Sequence, residues 1–144
     1  MTVRSFVDTN VFAYVLDDAE PAKQAQARAA LAAPAPGALV ISTQVLGELY
    51  VVATRKLGVD PDAAAAFVDD LADLPVVPIE AALVKSAIAT SRSATISYWD
   101  ALIVEAAASA GCERVLTEDL ADGMSIGSVR IESPFRPADP RHSA

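Results

Sequence analysis

Four carboxylates stand in surroundings that call for an explanation. Asp8 follows the apolar pair Phe6-Val7, Asp119 lies just beyond the apolar run at 114–117, Glu48 has Val45, Val51 and Val52 as helical neighbours, and Asp100 shares a helical face with Ile103 and Val104. Each has an ordinary reading. An aspartate after a strand is a common turn or cap residue, and Glu48 could sit at the boundary of an amphipathic helix with its carboxylate in water. Ser97-x-x-Asp100 has capping-box spacing, in which the acid bonds back to the N–H of the cap and offsets the helix dipole. These readings are independent of one another, whereas a single hypothesis covers all four acids: they converge at strand ends around a divalent cation. Two unit charges about 5 Å apart at an effective dielectric near 20 repel by ~3 kcal/mol, so six such pairs approach ~20 kcal/mol, more than the ~5–15 kcal/mol that keeps a domain folded. Such a cluster needs a cation or protons. Oxygen donors without histidine or cysteine select hard ions, Mg²⁺ or Mn²⁺. An ion held this way activates water and neutralises charge developing on a phosphodiester, so no side-chain nucleophile is required.

Other chemistries fall away. Cys112 is the only cysteine and His142 the only histidine, which leaves neither an internal disulfide nor a zinc cage to assemble. Eleven basic against nineteen acidic residues give a net charge of −8, which argues against a surface that holds nucleic acid by counterion release alone. Any contact with nucleic acid must be local. Arg92, Arg55 and Lys56 are candidates, each with an everyday role as a solvated charge or a cation at a helix C-terminus. Tyr98 and Trp99 could stack on bases, but aromatics that open an apolar helix are ordinarily core residues. No stretch is apolar and uncharged over the ~18 residues a membrane span needs, and the N-terminus lacks a basic-then-apolar export signal. A cytoplasmic location without membrane attachment is the expectation.

The elements that must position these residues are legible as short apolar runs separated by helical patterns. At 144 residues with 53% hydrophobic content, the chain suits one domain able to bury about two-thirds of its surface. Strands are predicted at 3–7, 39–41, 114–117 and around 129–131, with a further short apolar run at 76–79. Helices are predicted from about Asn10, over 22–33, from Ser42 or Thr43 to about Leu57 before Gly58, from Asp60 or Asp62 to Pro75, over 80–90, and from Ser97 to Gly111. Residues 90–97, which include Arg92, read as a polar interruption. Strands alternating with helices imply an α/β fold: a central, mostly parallel β-sheet flanked by α-helices. The domain is expected to span residues 1–133, followed by a poorly tethered proline-rich tail at 134–144. In open sheets of this kind, ligands collect at the carboxyl ends of the strands, where Asp8 and Asp119 would lie.

Four segments in order, FVDTNVFAY, STQVLGELY, ISYWDALIVEAA and VLTEDLADG, resemble the successive acidic motifs of the PIN-domain ribonucleases, and among them the VapC toxins of bacterial toxin–antitoxin pairs. The resemblance covers nearly the whole chain. It implies that Asp8, Glu48, Asp100 and Asp119 form a site for Mg²⁺ or Mn²⁺ with a water nucleophile directed at RNA. Asn10, Thr117 and Thr9 would support that site by hydrogen bonding. Asp122 would be an additional outer ligand, or else a plain turn acid before Gly123. The resemblance also implies a homodimer and a cognate antitoxin protein as partner. Two other functions are weighed against this one. A phosphoryl-transfer domain working through an aspartyl-phosphate would also use an aspartate at the end of strand one, but Asn10 stands where its partner acid is needed. An inert PIN-like module that binds RNA or protein would keep the fold without the chemistry.

Overall fold

The computed structural model describes residues 3–34 and 38–135. The apolar runs pair into one sheet of β1 (Ser5–Val7), β2 (Leu39–Ser42), β3 (Val76–Val77), β4 (Arg114–Leu116), β5 (Ser125–Ile126) and β6 (Val129–Glu132). Its strand order is β3-β2-β1-β4-β6-β5, and every pairing is parallel except β5 with β6. Phe6 lies opposite Val40 on one side and Val115 on the other, and Val115 lies opposite Ile131. All four are buried, so the register of the central strands is fixed by the core itself. This is the expected α/β architecture.

Helices return the chain between parallel strands: α1 (Thr9–Val15), α2 (Pro21–Ala32), α3 (Thr43–Val51), α4 (Pro61–Leu71), α5 (Ala81–Ala94) and α6 (Tyr98–Ser109). Among the described residues, none is long and apolar enough to cross a membrane. From β1 the chain moves outward to β2 and β3, then crosses back to place β4 on the opposite side of β1. The strand order therefore reverses between β1 and β4. A crevice opens at the carboxyl ends of those two strands, the usual place for a ligand in such a sheet.

Three local features differ from the sequence reading. First, α5 continues through the polar stretch to Ala94 and carries Arg92 in its last turn. Ser91 and Ser93 return their hydroxyls to the carbonyls of Ile88 and Thr90 at 2.7 and 3.4 Å, so polar side chains sit on the helix surface without breaking it. The helix stops at Thr95, which adopts a left-handed conformation with φ 55°. Second, the helix expected up to Leu57 is α3 followed by a π turn at Val52–Lys56, closed by Leu57 N–H on Val52 O at 3.1 Å. Third, two-residue β5 forms a hairpin with β6 that no apolar periodicity announces. Of the predicted tail, residues 136–144, His142 among them, lie outside the described residues. Phe135 packs edge-on against Tyr14, with ring centroids 4.8 Å apart.

Candidate active site

Asp8 is the residue at which β1 becomes α1. Its backbone N–H still pairs with Leu116 O at 3.0 Å as a strand residue would, while its Oδ1 accepts from Thr9 N at 2.7 Å as the cap of α1. The side chain is 5% exposed. Its Oδ2 accepts from the Thr117 hydroxyl at 2.8 Å and, at a longer 3.4 Å, from Asn10 Nδ2. Asn10 Nδ2 also donates to Thr117 Oγ1 at 3.1 Å, and Thr117 Oγ1 accepts from Asp119 N at 3.1 Å. Thr117, just past β4, thus ties the acid of β1 to the backbone that carries Asp119.

Glu48 arrives from α3. One carboxylate oxygen accepts from the Thr9 hydroxyl at 2.9 Å and the other from Gln44 Nε2 at 2.8 Å. Its setting is less apolar than the sequence reading held, because Val51, one of its expected apolar neighbours, is half exposed. Glu48 lies on the boundary of its helix. Asp100 stands in the first turn of α6, where its backbone N–H donates to the Ser97 hydroxyl at 3.0 Å. The Ser97 half of the capping box read from the sequence is therefore present, and the Asp100 carboxyl is also near enough to Asp119 and Glu48 to feel their charges.

Asp8, Glu48 and Asp119 line one cavity of about 410 Å³, with Thr9, Asn10, Tyr14, Asp17, Glu20, Val52, Lys56, Leu57 and Glu118 also on its walls. Burial pushes the Asp8 carboxyl up to about 6, hydrogen bonds from Thr117 and Thr9 pull it back, and the charges of Asp119 and Glu48 raise it further. Asp100 is raised as well, by burial first, and then by Asp119 and Glu48 against the Ser97 hydrogen bond. The three ion pairs among the described residues involve Lys23, Arg114 and Arg130, and none reaches any of these four acids. Glu118 is different. It accepts from Tyr14 at 2.7 Å and Lys23 at 3.1 Å, so its charge is already matched.

The donor set suits a hard cation: carboxylates, hydroxyls and amides, with no sulfur or imidazole on the walls. Among the described residues, however, no group of three or more His, Cys, Asp or Glu side chains is arranged to hold a metal ion as it stands. The four acids share a field rather than form a closed cage. A hard ion that keeps several waters and is held through one or two carboxylates does not require such a closed cage. Asp122 stands apart from the cavity walls, with its Oδ1 accepting from Ser133 N at 2.9 Å to fasten the turn after β4 to the end of β6. Trp99 is 62% exposed, contrary to a core role, while Tyr98 packs with Ala87, Ala101 and Leu102. Gln44 is not singled out by the sequence, whereas Lys56, offered there only as a local contact for nucleic acid, stands on the cavity wall with the acids. A glutamine four residues before Glu48 is the only hint of the first. A wider cavity of about 570 Å³ lies between α5, α6 and the β5–β6 hairpin, but its one carboxylate, Glu105, is held by the Thr90 hydroxyl.

No curated protein matches the sequence significantly. Solved structures do match the fold. The Mycobacterium tuberculosis toxin VapC20, which cleaves the sarcin-ricin loop, is 23% identical with a TM-score of 0.65 over 77% of this chain and 86% of that one. A toxin–antitoxin complex from Klebsiella pneumoniae is 19% identical with a TM-score of 0.68 over 92% and 99%. VapBC from Salmonella typhimurium, bound to DNA, is 21% identical with a TM-score of 0.62 over 92% and 98%. At these identities the likeness speaks for the fold. The PIN domain family model matches residues 5–121, a span that runs from the first residue of β1 past Asp119 and takes in all four acids, so the chain belongs to the PIN domain family.

Proposed function

We propose that the chain is a metal-dependent endoribonuclease, the toxin of a toxin–antitoxin pair, acting on RNA in the cytoplasm. The observation that carries this reading is a set of four acids without ion-pair partners near the point where the strand order reverses, of which Asp8 and Glu48 are held by hydroxyl and amide donors instead of by cations. Asp8, Glu48, Asp100 and Asp119 would hold Mg²⁺ or Mn²⁺ directly or through water. When bound, such an ion supplies an activated water and neutralises charge developing on the phosphodiester. The chain's own residues prepare for that. Thr117 and Asn10 fix the orientation of the Asp8 carboxylate, and Thr9 with Gln44 fixes both oxygens of Glu48, so neither acid must reorganise when substrate arrives. The carboxylates are also the groups on the cavity walls suited to accepting a proton at neutral pH. The structural neighbours solved as complexes support an antitoxin partner. A homodimer accords with the exposed Tyr50 and Val51 on α3.

The inert-module reading draws on the absence of a closed metal cage among the described residues. One experiment separates the two. The purified protein should cut single-stranded RNA in Mn²⁺, stop in EDTA, and lose at least about 100-fold in kcat/KM in Asp8→Asn, since even outer partners of metal ligands cost 10–100-fold. Circular dichroism should show that the variant is folded. Equal cleavage by wild type and D8N rejects the assignment.

A further inference from the structure

The π turn after α3 selects which cation faces the cavity. Glu48 and Val52 both line it from the same helical face. In an unbroken α-helix, measured from Val52, Arg55 and Lys56 would flank the cavity face on opposite sides, about 60° and 40° away, with neither singled out. The π turn at Val52–Lys56 inserts one residue into the helical cycle, with Leu57 N–H bonding five residues back to Val52. As a result Lys56 lines the cavity and Arg55 does not.

Lys56 is also the one cation on the walls among the described residues. It stands with six carboxylates, Asp8, Asp17, Glu20, Glu48, Glu118 and Asp119. It nevertheless forms no ion pair with a described acid, and its side chain is exposed. A lysine that lines an acidic cavity without an ion-pair partner is free to meet an anion that enters. Lysine makes such contacts as a point charge on a flexible stem, which suits a phosphate whose exact place varies with sequence.

We propose that Lys56 is a substrate-positioning residue that binds an RNA phosphate next to the one cut, and that the π turn exists in the fold to place it there. This rests on the ribonuclease reading above. Arg55, its neighbour on the outer face, is the internal control.

The test measures KM and kcat for cleavage of a single-stranded RNA in Mn²⁺ across a range of NaCl, for wild type, Lys56→Ala, Lys56→Gln, Lys56→Arg and Arg55→Ala. Expected for K56A and K56Q is a KM raised about tenfold at low salt, the worth of one charge-assisted contact. Their kcat should stay within about twofold of wild type. The slope of log KM against log[NaCl] should fall by about 0.7, one phosphate on a single strand. K56R should stay near wild type, and R55A should match wild type. K56A and K56Q matching R55A in KM and slope would overturn the inference while leaving the ribonuclease reading intact. A lowered kcat at unchanged KM would also overturn it, since Lys56 would then be acting on the acids. A wild-type protein that neither binds nor cuts RNA would overturn both.

Discussion

Asp8 is asked to be two things, a buried side chain and an anion, and its titration reports the tension. Its folded value of about 6 lies above the ordinary 3.8, so the native state binds a proton that the unfolded chain has released over the window between them. The sign follows: the stability associated with this group is complete below pH 3.8 and is lost as pH rises through 6. The loss is on the order of 3 kcal/mol, at about 1.4 kcal/mol for each pH unit of the shift. In metal-free buffer, urea unfolding should therefore show Asp8→Asn gaining on wild type by roughly that amount between pH 4 and pH 7.5. Mn²⁺ should raise the melting temperature of wild type far more at pH 7.5 than at pH 5, because only the anion favours the ion. A D8N advantage independent of pH would contradict the assigned burial. Thr117 makes a second case at this scale. It is 1% exposed and donates to Asp8 while accepting from Asn10 and the Asp119 backbone. Thr117→Val keeps the shape but removes all three bonds, which should cost about 1–3 kcal/mol in unfolding free energy and about 10–100-fold in kcat/KM.

The elements carry a different kind of information, and they differ in how far the sequence discloses them. Strands β1, β2 and β4 are buried on both faces, so they read as short apolar runs, and Asp8 after β1 and Asp119 beyond β4 could be located from order alone. Caps were equally legible, with Ser42 accepting from Val45 N and Ser97 from Asp100 N. What resisted reading is whatever depends on packing rather than pattern. The π turn is a matter of one residue in phase, which no spacing of apolar residues marks, and with it went the distinction between Arg55 and Lys56. The last turn of α5 was hidden because its serines and arginine look like a loop, although they bond backward along the helix or face water. That helix ends on a residue poorly suited to its post. Thr95 is exposed and β-branched at φ 55°, a region where a branched side chain is strained and where glycine is the usual occupant of a helix end. Thr95→Gly should stabilise the protein by about 0.5–1 kcal/mol after allowing for the extra freedom of glycine in the unfolded chain. The melting temperature should rise by about 2–4 °C. Cleavage should be unaffected, since α6 and Asp100 are capped independently by Ser97.

At the scale of the whole molecule, an acidic chain is proposed to act on a polyanion, and that conflict constrains how it can bind. With a net charge of −8, the average field repels RNA, and the cavity that would receive it is itself lined by six carboxylates. Lys23, the other cation close by, is engaged with Tyr14 and Glu118, which hold its proton tightly, leaving Lys56 as the free positive group of the cavity wall among the described residues. Few phosphates can be met by side-chain cations under these conditions. Attachment must then come mainly from the divalent ion and from contacts with bases and sugars. This has a quantitative consequence. Binding through a broad basic surface releases many counterions and is steeply weakened by salt, whereas one or two lysine contacts to a single strand give a slope of only about −0.7 to −1.4 in log affinity against log[NaCl]. Titrating KM against NaCl at saturating Mn²⁺ should give that shallow slope, and lowering Mn²⁺ should weaken binding far more than raising NaCl does. A slope steeper than about −3 would mean at least four phosphates held by cations. Those cations would have to come from outside the cavity wall, from exposed side chains such as Arg55 and Arg92 or from a second subunit, and the RNA would then run well beyond the cavity that holds the acids.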